Sequence, residues 1–129
     1  MIGGTEAMNA EWERCRHYIE AALDNSPHLE AIEDVERRLG EGTYMLWTGA
    51  ECALVTQIMN YPSKRVMEVV HGGGSKREII ERLGPVMEDF AVKQGCDSMA
   101  VIGRRGWLRE GEKAGWHLGY VCMMKTLKH

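Results

Sequence analysis

The chain has 129 residues, 44% hydrophobic and 27% charged, which is the balance of one globular domain with a buried core. With 16 basic and 19 acidic side chains the net charge is −3, which argues against a nucleic-acid surface, and no apolar run approaches the ~20 residues of a membrane span. Glu6, Glu11 and Glu13 precede any apolar run, unlike a signal peptide, so the expected location is cytoplasmic with no membrane partner.

Taken in chain order, residues 5–24 read as an amphipathic helix with Trp12, Cys15, Ile19, Ala22 and Leu23 on one stripe. Ser26-Pro27 is a helix-start signal, Leu29, Ile32, Val35 and Leu39 form a second stripe, and Gly40 is placed to end it. Residues 43–48 and 50–59 are β-rich and meet at Gly49, a hairpin signal. The turn Asn60-Tyr61-Pro62-Ser63 leads to a third strand over 65–71, giving an antiparallel meander.

Then comes His71-Gly72-Gly73-Gly74-Ser75-Lys76, a glycine loop opening a helix over 77–93. Such a loop offers backbone N–H groups and a helix N-terminus to an anion. Ser75 and Glu78 have the spacing of a reciprocal capping box, and Pro85 predicts a kink. Gly95 ends this helix, and residues 98–102 form a short apolar strand of the fully buried type. Its crossover from the third strand predicts parallel pairing. A short helix over 105–114 and a last strand over 116–127 complete the order ααβββαβαβ, a mixed α/β (α+β) fold with helices on both faces of one sheet. Cys15, Cys52, Cys96 and Cys122 lack any CxxC pairing, so four reduced thiols and no metal site are expected, with Cys96 and Cys122 as inert core thiols.

This order and two motifs resemble the GNAT N-acetyltransferase superfamily over about residues 27–127. His71-Gly72-Gly73-Gly74-Ser75 stands where that family has its pyrophosphate loop. Val101-Ile102-Gly103-Arg104-Arg105-Gly106-Trp107 through Gly115-Trp116 matches the strand, short helix and Gly-aromatic pair that follow. The Gly-Arg-Arg-Gly-Trp run is also similar to small GNAT-like proteins of phages and prophages. The resemblance implies acetyl-CoA as acyl donor, an amine acceptor of unknown identity, and cofactor contacts at Val69, Val70, Gly72, Gly73, Gly74, Ser75, Lys76 and Arg104. Two positions depart from the family pattern: Val69 stands where Arg or Gln is usual, and Gly111 where many members carry a tyrosine acid. A GNAT-fold binding or assembly protein without catalysis is therefore the alternative to an N-acyltransferase.

A neutral amine is the attacking species in such a transfer, so a nearby carboxylate or imidazole can serve as base. Glu68 and His71 are the candidates, and strict strand alternation puts them on opposite faces. Each has an ordinary reading as well, Glu68 as a solvated strand residue and His71 as a loop-edge hydrogen bonder. Tyr120 on the last strand is the candidate replacement acid, with packing as its ordinary role. Arg104, Arg105 and Arg109 with Trp107 make a basic patch that suits a coenzyme phosphate, a docking partner or plain solvation. The last strand offers an edge through which a homodimer can form.

Overall fold

A computed structural model of the chain describes residues 5–26, 29–102, 107–120 and 122–128. Helix α1 (Thr5–Asp24) and helix α2 (Ile32–Glu41) form as their apolar stripes require, burying Trp12, Cys15, Ile19 and Leu23 from the first, and Val35 and Leu39 from the second. The boundaries of α2 differ from expectation. Pro27 lies outside the described residues, and the helix starts at Ile32, where the Asp34 carboxylate accepts the Ala31 N–H at 2.9 Å. Its end is Gly42 at φ +81°, the left-handed conformation glycine takes at little cost, while Gly40 lies inside the helix.

The sheet has the order β1-β2-β3-β4, from β1 (Met45–Thr48), β2 (Cys52–Asn60), β3 (Arg65–Gly74) and β4 (Ser98–Val101). The first two pairings are antiparallel and β3–β4 is parallel, in agreement with the meander and crossover. Alternation divides two cores between the sheet faces. On one face Leu46, Ala53 and Val55 pack under α1 and α2 with Tyr44. On the other, Trp47, Cys52, Leu54, Met67 and Val69 pack under the crossover helix with Ile79, Met87 and Ala91. Trp47, 2% exposed, stacks edge-on to Phe90 at 5.3 Å, and its indole N–H donates to the buried Thr56 hydroxyl at 2.8 Å.

The crossover helix shows how the chain accommodates Pro85. Helix α3 (Lys76–Glu78) runs directly through a π-helical turn (Ile79–Leu83) into helix α4 (Gly84–Lys93). The Gly84 N–H reaches back five residues to the Ile79 carbonyl, and Pro85 then occupies the first turn of α4, where its missing N–H costs nothing.

Downstream, two expectations fail. Strand β4 is an edge, with Val101 44% and Ile102 60% exposed, because no later strand pairs with it among the described residues: 116–120 and 122–128 have no strand pairing. Cys122 is exposed as a consequence, and Cys96 is half-buried. Helix α5 (Leu108–Lys113) is shorter than expected, and residues 103–106, including Arg104 and Arg105, lie outside the described residues. None of the described helices is long and apolar enough to cross a membrane.

Candidate functional site

The glycines form the end of β3, where a loop was expected. Gly72, Gly73 and Gly74 pair with Leu54, Ala53 and Cys52, and steric facts account for all three. A Cβ on Gly72 would meet the Leu54 side chain, and one on Gly73 the Tyr18 carbonyl of α1. Gly74, at φ +99°, lies against the Glu51 carbonyl. The turn into α3 is only Ser75, whose N–H donates to the Glu51 carbonyl at 2.8 Å.

Only half of the expected capping box forms. Ser75 Oγ accepts the Glu78 N–H at 3.2 Å. Glu78 turns instead to the β1–β2 turn and accepts the Ala50 and Glu51 N–H groups at 3.0 and 2.8 Å. Hydrogen bonds from the Cys52 thiol and the Glu51 amide hold its carboxyl below the ordinary range, while burial pushes the Cys52 thiol up to about 12. Lys76 lies with its Nζ 5.3 Å from the centroid of the Trp107 ring, a cation–π contact. Trp107 itself packs against the second core.

A β-bulge sets the chemistry of the neighbouring residues. Val55 pairs with His71 and Thr56 with Val69, so Val70 is an extra residue on β3. An extra residue breaks the period of two. Val69 stays buried in the second core, Val70 packs against the first, and His71 turns to the first face as well, beneath α1 and α2. Glu68 and His71 therefore share a face, contrary to strict alternation. Glu68 is 6% exposed and its carboxylate is occupied: Gln57 Nε2 donates to one oxygen at 3.2 Å and the Tyr61 hydroxyl to the other at 3.0 Å.

His71 has a different setting. Its Nε2 lies 2.8 Å from Glu30 Oε1, the same oxygen that accepts the Tyr44 hydroxyl at 2.6 Å. Arg38 donates to the Tyr44 oxygen at 3.0 Å, and its guanidinium is 3.7 Å from the other Glu30 oxygen. Burial and the Glu30 carboxylate push the Tyr44 phenol up to about 12. Nothing in the sequence singles out Glu30, Arg38 or Tyr44. Glu30 is 41 positions from His71 in the chain, and no spacing rule joins a residue between two helices to a distant strand end.

The bulge also marks where the parallel ladder ends. Strands β3 and β4 pair from Val66–Ser98 to Val69–Val101, closing with the Ile102 N–H on the Val69 carbonyl at 3.3 Å. Beyond it, β3 continues from Val70 to Gly74 with β2 on one side and no strand on the other among the described residues. Between the end of α1 and the start of α2 an open depression of about 560 Å³ is lined by Glu20, Leu23, Asp24, Glu30, Glu33 and Asp34, with Glu20 paired to Arg16 and Asp34 to Arg37; no strand residue lines it. Tyr120 is 78% exposed and makes no hydrogen bond to a described side chain, although it lies within electrostatic reach of Tyr61, the donor to Glu68. Gly111 packs against Trp116, whose N–H donates to the Gly111 carbonyl at 2.9 Å. Among the described residues there is no cluster of metal-ligating side chains.

No family model and no curated protein matches the sequence. Solved structures do match the fold. The chain is similar to a probable acetyltransferase with TM-score 0.68 and 12% identity, over 93% of each chain. It is similar to the aminoglycoside acetyltransferase meta-AAC0020 from an uncultured soil metagenomic sample, solved with sisomicin, at TM-score 0.65 and 12% identity, over 92% of this chain and 90% of that one. A GNAT family acetyltransferase of Staphylococcus aureus aligns at TM-score 0.59 and 14% identity, over 92% and 93% of the two chains. The fold is that of the GNAT acetyltransferases.

Proposed function

We propose that the protein is an acyl-coenzyme A-dependent N-acyltransferase that passes an acetyl group from acetyl-CoA directly to an amine. The observation that carries this reading is the edge of β3 at Val70–Gly74, which has no strand partner on that side among the described residues, beyond the bulge that turns His71 toward the helices. An open strand edge accepts an extended chain through main-chain hydrogen bonds, and the amide-bearing arm of coenzyme A is such a chain. The start of α3 follows at once, where N-terminal amides favour the pyrophosphate. Lys76, and Arg104 outside the described residues, are the basic side chains assigned to the phosphates.

In the reaction the amine nitrogen attacks the thioester carbonyl carbon. The C–N bond forms, the C–S bond breaks, the sulfur leaves as coenzyme A thiol, and the surplus amine proton goes to a base. An N–H of the exposed β3 edge stabilises the carbonyl oxygen as it becomes negative. His71 is assigned as the base ahead of Glu68, because both Glu68 oxygens already accept hydrogen bonds whereas one His71 ring nitrogen has no hydrogen-bond partner among the described residues. Positioning and carbonyl stabilisation supply most of the rate, so Gly111 in place of an acid is no bar to turnover.

A second reading is a GNAT-fold binding or assembly protein of phage origin, without catalysis. It is favoured by the packing reasons that account for Gly72, Gly73 and Gly74, and by Val69 lying buried in the apolar core. Calorimetric titration with coenzyme A and acetyl-CoA separates the two, followed by thiol-release assays with polyamine and aminoglycoside acceptors. Binding heat and amine-dependent thiol release are expected. No heat at millimolar ligand would sink the acyltransferase reading and leave the second.

A further inference from the structure

We infer that Glu30 is a positioning residue for His71, fixing the imidazole in its Nε2–H tautomer so that Nδ1 is the ring nitrogen presented for proton transfer. This rests on the acyltransferase reading for its purpose, but the arrangement itself is independent of any ligand.

The geometry has three parts. First, the Val70 bulge brings His71 to the face where the connection between α1 and α2 passes, which is where Glu30 sits. Second, Glu30 Oε1 lies 2.8 Å from His71 Nε2 and also accepts the Tyr44 hydroxyl at 2.6 Å. An ionised carboxylate only accepts, so the imidazole must donate there and its proton sits on Nε2. A neutral ring then has its lone pair on Nδ1, which has no hydrogen-bond partner among the described residues. Third, both side chains are largely withdrawn from water, His71 at 10% and Glu30 at 14% exposure, which strengthens the contact and fixes the ring plane.

The carboxylate is itself held in place. Tyr44 receives a hydrogen bond from Arg38 and passes one to Glu30, so the chain runs Arg38 to Tyr44 to Glu30 to His71. Tyr44 meets the His71 ring edge-on at 6.3 Å, limiting its tilt. Glu30 Oε2 accepts no hydrogen bond and faces the Arg38 guanidinium at 3.7 Å. Both hydrogen bonds land on Oε1, so the tie from Tyr44 and His71 alone is made as well by a neutral amide oxygen, and Arg38 answers the charge only from ion-pair distance. What the charge adds is stabilisation of the imidazolium that forms when Nδ1 takes the amine proton.

The test uses the full-length protein. Nitrogen-15 NMR of the His71 ring reports the tautomer directly, in wild type, Glu30→Gln and Glu30→Ala, with His71→Ala assigning the signals. Wild type is expected to show a protonated Nε2 and an unprotonated Nδ1, and Glu30→Ala a mixture of tautomers. Amine-dependent thiol release should fall about a hundredfold or more in His71→Ala. It should fall about tenfold or more in Glu30→Gln, with KM for acetyl-CoA unchanged and the melting temperature followed as a fold control. An Nδ1–H tautomer in wild type overturns the inference, as does a ring spectrum that does not respond to Glu30→Ala. Full turnover in Glu30→Gln overturns it too. Absence of turnover in the wild type, with the Nε2–H tautomer in place, instead removes the acyltransferase reading, so the two failures are distinct.

Discussion

Replacing Gly73 by alanine tests whether the glycine run is a packing device. The new Cβ would meet the Tyr18 carbonyl oxygen and lie 3.2 Å from its carbon, and a helix backbone cannot rotate aside as a side chain can. Either α1 lifts from β3, disturbing Cys15 and Ile19 beneath it, or β3 withdraws from its pairing with Ala53. Overpacking of this kind costs about 2–3 kcal/mol. Alanine returns roughly 0.5–1 kcal/mol by restricting the unfolded chain. The net loss is about 2 kcal/mol. With an unfolding entropy of about 2.1 cal/mol/K per residue over 129 residues, each kcal/mol is worth about 4 °C, so melting should fall by about 8 °C. Differential scanning calorimetry without ligand measures this. Gly40→Ala is the control: it lies inside α2 with no atom within 4 Å of where the new methyl group would stand, so it should gain about 0.5–1 kcal/mol. An unchanged melting temperature in Gly73→Ala, with coenzyme A binding lost, would refute the packing argument and return the glycine to the ligand.

Other outcomes follow from the same contacts. Thr56→Val strands the Trp47 indole N–H in the core and should cost about 1–3 kcal/mol in urea unfolding followed by tryptophan fluorescence, with an unchanged m-value. Tyr44 and Cys52 both have folded-state pKa values raised to about 12, so their contribution is complete below the ordinary phenol and thiol ranges and is lost as pH rises toward 12. Melting temperature should fall steadily above about pH 9, and Tyr44→Phe should flatten the upper part of that decline. In native protein at pH 8 a thiol reagent should modify the exposed Cys122 first and leave Cys15 and Cys52 unreacted until unfolding, which mass spectrometry after digestion resolves.

Local chemistry makes much of this fold legible in the sequence. The stripe of Trp12, Cys15, Ile19 and Leu23 and the alternation of β2 have single physical solutions, and the crossover from β3 to β4 has one hand. Three features are hidden because each depends on a partner distant in the chain. Glu78 has the spacing of a capping residue, yet its carboxylate prefers the turn amides of Ala50 and Glu51. The glycines resemble a phosphate loop, yet Tyr18, Leu54 and Glu51 explain them. Periodicity also cannot reveal a bulge, since nothing in Val69-Val70-His71 signals which residue will be unpaired. That single irregularity reverses the expected placement of His71 and hides its link to Glu30.

The extra residue at Val70 also makes this stretch sensitive to length in a way that composition does not disclose. Every position after it faces the side its number would otherwise deny. Loss of one residue between Glu68 and His71 would restore regular pleating only by removing the irregularity that brings His71 alongside Val70. Substitutions at Val70 that keep its volume are tolerable, whereas a one-codon deletion changes the local geometry at once. Descent in this region is therefore expected to proceed by exchange of side chains, with insertions and deletions confined to the turns on either side.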